Sequence, residues 1–156
     1  MPPDLFIFLR RAWSFERHVT CRKSFSEHRA SGRAVWASIT DDPDSLSLSQ
    51  TEEGTLILGN AGDANSSAAI SVRAAYNWSW SPSRNDATIS FPDGRTFLEG
   101  INFVGGACSA HHDCSPDKYE GTFTRTEDGT GFCIAWSVVG PRKDYSSTTT
   151  YLPLQD

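Results

Sequence analysis

The sequence predicts an all-β protein: one antiparallel up-and-down β-barrel of about 8–10 strands with a short N-terminal helix, forming a single domain. Three observations predict it. Five Trp, nine Phe and four Tyr against one Met give a stiff, β-prone interior, and the abundant Ser and Thr favour strands and turns. Runs with period-two character recur along the chain. Short turn clusters separate these runs, with no βαβ rhythm and no long polar linker, so successive strands should be antiparallel neighbours.

The elements follow in order. Leu5 to Trp13 has helical spacing through Leu5, Phe8, Leu9 and Trp13, with Asp4 placed to cap it; such a helix would plug or flank a barrel end. Strand character then recurs over Ser14–Cys21, Gly32–Thr40, Ser45–Thr51, Gly54–Leu58, Ser71–Trp80 and Ala87–Phe91. It continues over Thr96–Val104, Ala107–Asp113, Tyr119–Thr126, Gly131–Val139 and Asp144–Tyr151, for about ten strands in all. Turn clusters lie between them: Asp41-Asp42-Pro43-Asp44, Gly59-Asn60-Ala61-Gly62-Asp63, Ser81-Pro82-Ser83, Pro92-Asp93-Gly94, Gly105-Gly106 and Glu127-Asp128-Gly129. A chain of 156 residues buries about two-thirds of its unfolded surface around one core. A barrel is preferred to a sandwich, because a barrel of this size leaves room for side chains plus one small ligand.

Composition excludes several function classes. The net charge is −5 and the basic residues are scattered as Arg10-Arg11, Arg22-Lys23 and Arg142-Lys143, which argues against nucleic acid. No run approaches the roughly 18 apolar residues of a membrane helix, and Asp4, Arg10 and Arg11 interrupt the N-terminal stretch, so neither membrane nor signal peptide is expected. A soluble, cytoplasmic monomer or homodimer is the expectation. Cys21, Cys108, Cys114 and Cys133 are then thiols rather than bridges. The sequons Asn65-Ser66-Ser67 and Asn77-Trp78-Ser79 carry no weight in that compartment. There is no GxGxxG, GxxxxGKS/T or GxSxG, so dinucleotide, triphosphate and serine-hydrolase chemistry is not indicated, and no cofactor is expected.

Chemistry-bearing residues concentrate in His111-His112-Asp113-Cys114-Ser115-Pro116-Asp117-Lys118-Tyr119. Alternation puts His112 and Cys114 on one face, and Asp117 with Tyr119 on one face beyond the Pro116 turn, so the four converge on one pocket if those faces point inward. His112 is suited to general acid or base work tuned by Asp117, although a buried His bonded to a carbonyl looks the same in sequence. Cys114 reads either as a nucleophile or as a small pocket-lining hydrophobe. Adjacent residues on a strand point opposite ways, leaving too few ligands for a metal site, while a single axial His112 leaves haem as a chemical option. Asp117 equally reads as a turn former. Tyr119 has a phenol suited to polarising a carbonyl, and Arg95 and Lys143 are candidates to receive an anionic oxygen or to pair with Asp93 and Asp144. Tyr76, Trp78 and Trp80 share one face, which is an aromatic wall if it points inward and otherwise reads as plain core packing; Phe123 and Trp136 would add substrate-shaping rings.

Several landmarks together resemble an uncharacterised lipocalin-like family, the domain-of-unknown-function family 6314. They are Trp13-Ser14-Phe15-Glu16-Arg17, Gly32-Arg33-Ala34, a Glu53-Gly54 turn, Tyr76 with Trp78, and Phe91-Pro92-Asp93-Gly94-Arg95-Thr96-Phe97. The C-terminal third carries the strongest likeness, through His112-Asp113-Cys114-Ser115-Pro116-Asp117-Lys118-Tyr119-Glu120-Gly121-Thr122-Phe123 and then Trp136 to Tyr145 with Tyr151. The chain departs from the pattern at Leu98, where the family often has His. The resemblance implies a calycin-like antiparallel barrel and no known reaction.

The expected function is therefore a barrel that encloses a mainly apolar small molecule as a cofactor-independent isomerase, cyclase or lyase of specialised metabolism. His112, Asp117 and Tyr119 would move protons, Arg95 and Lys143 would hold an anionic oxygen, and Tyr76, Trp78, Trp80, Cys114, Phe123 and Trp136 would line the substrate. The alternative is a carrier or sensor of a hydrophobic ligand, haem among the candidates. An interior packed solid with rings would instead mark a structural interaction module.

Overall fold

Ten strands and one short helix make up the computed structural model, which describes residues 2–42, 44–59 and 69–155. The Asn65 sequon, Pro43 and most of the predicted turn after Gly59 lie outside the described residues. Helix α1 (Asp4–Leu9) precedes β1 (Ala12–Cys21), β2 (Ser26–Ser38), β3 (Ser47–Gly59), β4 (Ala69–Trp80) and β5 (Ala87–Ser90). The chain continues through β6 (Thr96–Ile101), β7 (Ala107–Cys114), β8 (Asp117–Arg125), β9 (Phe132–Val139) and β10 (Asp144–Pro153). All pairings are antiparallel, in the order β6-β5-β4-β3-β2-β1-β10-β9-β8-β7. The sheet curls into a nearly closed up-and-down barrel. Its two edges, β6 and β7, face each other across a seam without a hydrogen-bonded ladder.

The helix is shorter than its spacing predicts. It ends at Leu9, with Leu5, Phe6 and Leu9 buried, and Pro3 rather than Asp4 stands at the N-cap. Trp13 belongs to β1 and donates its indole N–H to the Leu9 carbonyl at 3.1 Å, satisfying one of the helix's free C-terminal acceptors. Phe6 meets Trp80 edge to face at 5.4 Å, so the helix closes one end of the barrel. Among the described residues no helix is long and apolar enough to cross a membrane.

Two predicted strands, Ser45–Thr51 and Gly54–Leu58, are one continuous strand, β3, and Glu53-Gly54 is not a turn. Gly54 pairs with Gly32 of β2, where the two backbones approach so closely that a Cβ on Gly32 would overlap the Glu53 carbonyl and reach within 2.9 Å of its carbon. A Cβ on Gly54 would lie 2.9 Å from the Phe15 ring. These glycines serve close approach inside a strand rather than a bend. β2 likewise begins at Ser26, earlier than its apolar pattern indicates, and β6 ends at Ile101, earlier than Val104. Gly32→Ala is expected to cost about 1–3 kcal/mol or more through backbone displacement. An unchanged thermal midpoint would contradict it.

The helix-side half of the interior is solid. Trp13, Trp36, Phe103 and Phe132 are fully buried there, with Trp80, Leu5 and Leu9 around them. The rings meet mostly edge to face: Trp13 to Phe132 at 5.0 Å and 85°, and Trp36 to Phe132 at 5.6 Å and 73°.

Candidate functional site

Turns between β1 and β2, β5 and β6, β7 and β8, and β9 and β10 all lie at the end opposite α1, which is the barrel's mouth. On the mouth side of the solid core is a cavity of about 280 Å3. Tyr76, Trp78, Phe97, Phe123 and Trp136 give it aromatic walls, and Ile89, Leu98, Ile134 and Val138 give it aliphatic ones. Its polar lining includes Arg17, Gln50, Glu52, Thr149 and Tyr151 in the deep part, and Tyr119 and Tyr145 near the mouth.

The deep polar residues form one connected network. Arg17 Nη2 donates to Glu52 Oε1 at 2.7 Å and to the Tyr151 hydroxyl at 3.3 Å, while its Nε donates to Thr149 Oγ1 at 2.7 Å. Tyr151 donates its hydroxyl to Glu52 Oε2, and Gln50 donates to the same oxygen at 3.0 Å. Trp78 donates to Gln50 Oε1 at 2.7 Å. Glu52 is only 4% exposed and Tyr151 2%. A charge so buried is tolerated because it is paired and every carboxylate oxygen is hydrogen-bonded.

This environment shifts the acids and bases around it. Burial, followed by the Glu52 carboxylate, pushes the Tyr151 phenol well above its ordinary value. Burial and Glu52 also raise Tyr76. For Arg17, burial opposes the charge, but Tyr151 and Glu52 outweigh it and hold the guanidinium above its ordinary value. A phenol raised in the folded state stabilises the fold below its unfolded pKa of about 10, and that contribution is lost as pH rises toward the folded value. The barrel should therefore lose stability above about pH 10, and Tyr151→Phe should flatten that decline. Equal slopes in the two proteins, measured by denaturant unfolding across alkaline pH, would remove Tyr151 as the cause.

At the mouth, three of the predicted catalytic residues meet. Lys143 Nζ donates to the Tyr119 hydroxyl at 3.0 Å and lies 3.4 Å from Asp117 Oδ2. The hydrogen bond to Tyr119, then that to Asp117, raises the Lys143 pKa above its ordinary value. Gly140 makes room for the pair, since a Cβ there would overlap Asp117 Oδ1. Lys143 occupies an acceptor position on the Tyr119 oxygen, so that bond does not use the phenol's O–H donor.

Other predicted residues lie further from the cavity. His112 is half-buried on the edge strand β7, 5.2 Å from the Phe97 ring centroid and 6.2 Å from Tyr119. It does not line the cavity, so no axial imidazole faces that space for haem. Cys114 is exposed at the end of β7. Arg95 bonds Asp93 at 2.7 Å and covers Phe91 at the β5–β6 turn, with 75% of its side chain exposed. Tyr76, Trp78, Phe123 and Trp136 line the cavity, whereas Trp80 lies below it against Phe6. Among the described residues no three His, Cys, Asp or Glu side chains converge as metal ligands.

Sequence reasoning missed the deep network and Phe97. Arg17 shares the inward phase of Trp13 and Phe15, and Gln50 and Glu52 share that of Leu48. Polar residues in phase with a core are the signal that marks them. Phe97 and Leu98 are adjacent yet both line the cavity, because two register shifts interrupt the β5–β6 ladder.

A ten-stranded up-and-down barrel with a half-filled interior belongs to the class of β-barrels suited to holding one small molecule. This chain belongs to a family of unknown function (DUF6314), whose family model matches residues 9–153. Comparison with curated proteins finds no match.

Proposed function

We propose that the barrel binds a mainly apolar, uncharged small molecule in its cavity and acts on it by proton transfer, as a cofactor-independent isomerase, cyclase or lyase. One observation carries this reading: a neutralised Arg17–Glu52 pair, with Tyr151, lies beneath aromatic walls in a space of ligand size. The pair adds no net charge, so a carboxylate ligand would have to displace Glu52. Apolar walls orient the substrate and exclude water. Tyr119, backed by Lys143 and Asp117, is the proton donor at the mouth, and His112 relays to it from the seam. Arg95, held by Asp93, serves the rim rather than the reacting atoms.

Native mass spectrometry of protein from its own source tests this reading, followed by return of any released molecule to the emptied barrel. Conversion to a product of equal mass, or of a mass lower by one eliminated group, is expected. Tyr119→Phe should slow it by about 10²-fold or more while binding persists. A bound molecule that returns unchanged removes the catalytic half of the proposal. That result would favour the carrier reading, which has its own support, since both Glu52 oxygens already accept hydrogen bonds, from Arg17, Tyr151 and Gln50.

A further inference from the structure

Phe97 is stacked against two other rings of the cavity wall. Its plane lies 17° from Tyr76, with centroids 5.7 Å apart, and 20° from Trp136, with centroids 5.4 Å apart. Three near-parallel rings from β4, β6 and β9 thus stand in a row along the cavity wall. Stacking of this kind accepts any planar π-system of similar size.

The strand that carries Phe97 is the least secured of the three. β6 has six residues, pairs on one side only, and meets β5 through a ladder with two register shifts and Gly100 at φ +73°. Tyr76 and Trp136, by contrast, sit on strands paired on both sides. Displacing a side chain from an irregular edge strand costs less than displacing one from a continuous ladder. Phe91, at 4.9 Å, and His112, at 5.2 Å, form an aromatic surface beside the slot against which the ring can rest.

The polar end of the cavity specifies a second feature. Arg17 commits Nε to Thr149 and Nη2 to Glu52 and Tyr151, leaving both Nη1 hydrogens without a partner among the described residues. Tyr151 and Trp78 have spent their donors on Glu52 and Gln50. The open valence is thus a pair of donors whose charge Glu52 already balances, which fits an acceptor oxygen without formal charge. Arg17, Glu52 and Tyr76 line the same cavity, so this end adjoins the stack.

We propose that the ligand is an uncharged planar aromatic carbonyl compound, whose ring takes the place of Phe97 between Tyr76 and Trp136 while its carbonyl oxygen accepts from Arg17. This assignment rests on the small-molecule reading above and names its ligand class.

Prodan, a neutral naphthalene with a propionyl carbonyl, is a suitable probe, with dimethylaminonaphthalene as its carbonyl-free counterpart. Fluorescence titration should give one Prodan per barrel with blue-shifted emission. Phe97→Ala should tighten both probes by roughly fivefold or more, since the competing ring is gone. The double variant Arg17→Met/Glu52→Gln, which avoids leaving an unpaired charge, should weaken Prodan about tenfold and spare the carbonyl-free probe. Should Phe97→Ala not fold, Phe97→Leu keeps an apolar side chain and should tighten both probes in the same direction. Unchanged or weaker binding in these Phe97 variants would make the ring a fixed wall and overturn the inference, while leaving the broader reading intact. Equal losses of both probes in the double variant would overturn the carbonyl contact. Failure of either probe to bind wild type or Phe97→Ala would also overturn it, and a co-purifying molecule of another class would show that the broader reading survives.

Discussion

Arg17→Met is expected to destabilise the barrel by about 3–5 kcal/mol, because it leaves Glu52 buried with no counter-charge. The carboxylate would keep its bonds from Tyr151 and Gln50, but these are dipoles, and Glu52 at 4% exposure has little water to replace the guanidinium. Adding Glu52→Gln should recover most of the loss, because a neutral amide needs hydrogen bonds rather than a charge partner. Urea unfolding of the wild type and both variants measures the difference. A single-variant cost below about 1 kcal/mol, the range of an exposed pair, would mean that Glu52 is not desolvated as its burial indicates.

Phe132→Ala is expected to cost a similar amount, about 3–5 kcal/mol, through lost contacts and the void it leaves. Phe132 has no solvent exposure and is the hub of the solid half: it stacks on Tyr151 at 4.5 Å and 9°, and meets Trp13, Trp36, Phe8 and Phe103 within 6 Å. The same residue supports the candidate site, since Tyr151 rests on it from above. Val138→Ala is the contrast. It removes apolar atoms from the wall of an existing cavity and should cost well under half as much. Comparable losses at both positions would mean that the cavity is filled in solution or collapses around the smaller side chain.

Strand number and order were legible in the sequence because period-two runs and short turns are local signals, and ten antiparallel neighbours in sequence order follow from them. The errors have identifiable physical causes. Gly54 reads as a break in isolation, but its reason for being glycine lies on the facing strand at Gly32. Trp13 fits a helical period with Leu9, yet its indole caps the helix from the first strand. Tyr76 and Trp78 were legible as a wall from alternation alone. Arg17 and Glu52 were not singled out, because they are 35 residues apart and their pairing exists only once β1, β2 and β3 are aligned. The adjacent inward pair Phe97 and Leu98 breaks the alternation rule through bulges that no residue type announces.

The strand order has a consequence for how the barrel comes together. β1 to β6 and β7 to β10 are two meanders of local hairpins, but Trp13 must find Pro153 and Cys21 must find Tyr145 before they join. Closing so long a loop carries the largest entropy cost of any ladder in the molecule, and proteins with distant pairings fold slowly for that reason. Arg17 belongs to the first meander and Thr149 and Tyr151 to the second, so the polar network bridges the joint itself. The network is therefore complete only once the two halves have docked, and no strand of either half can assemble it alone.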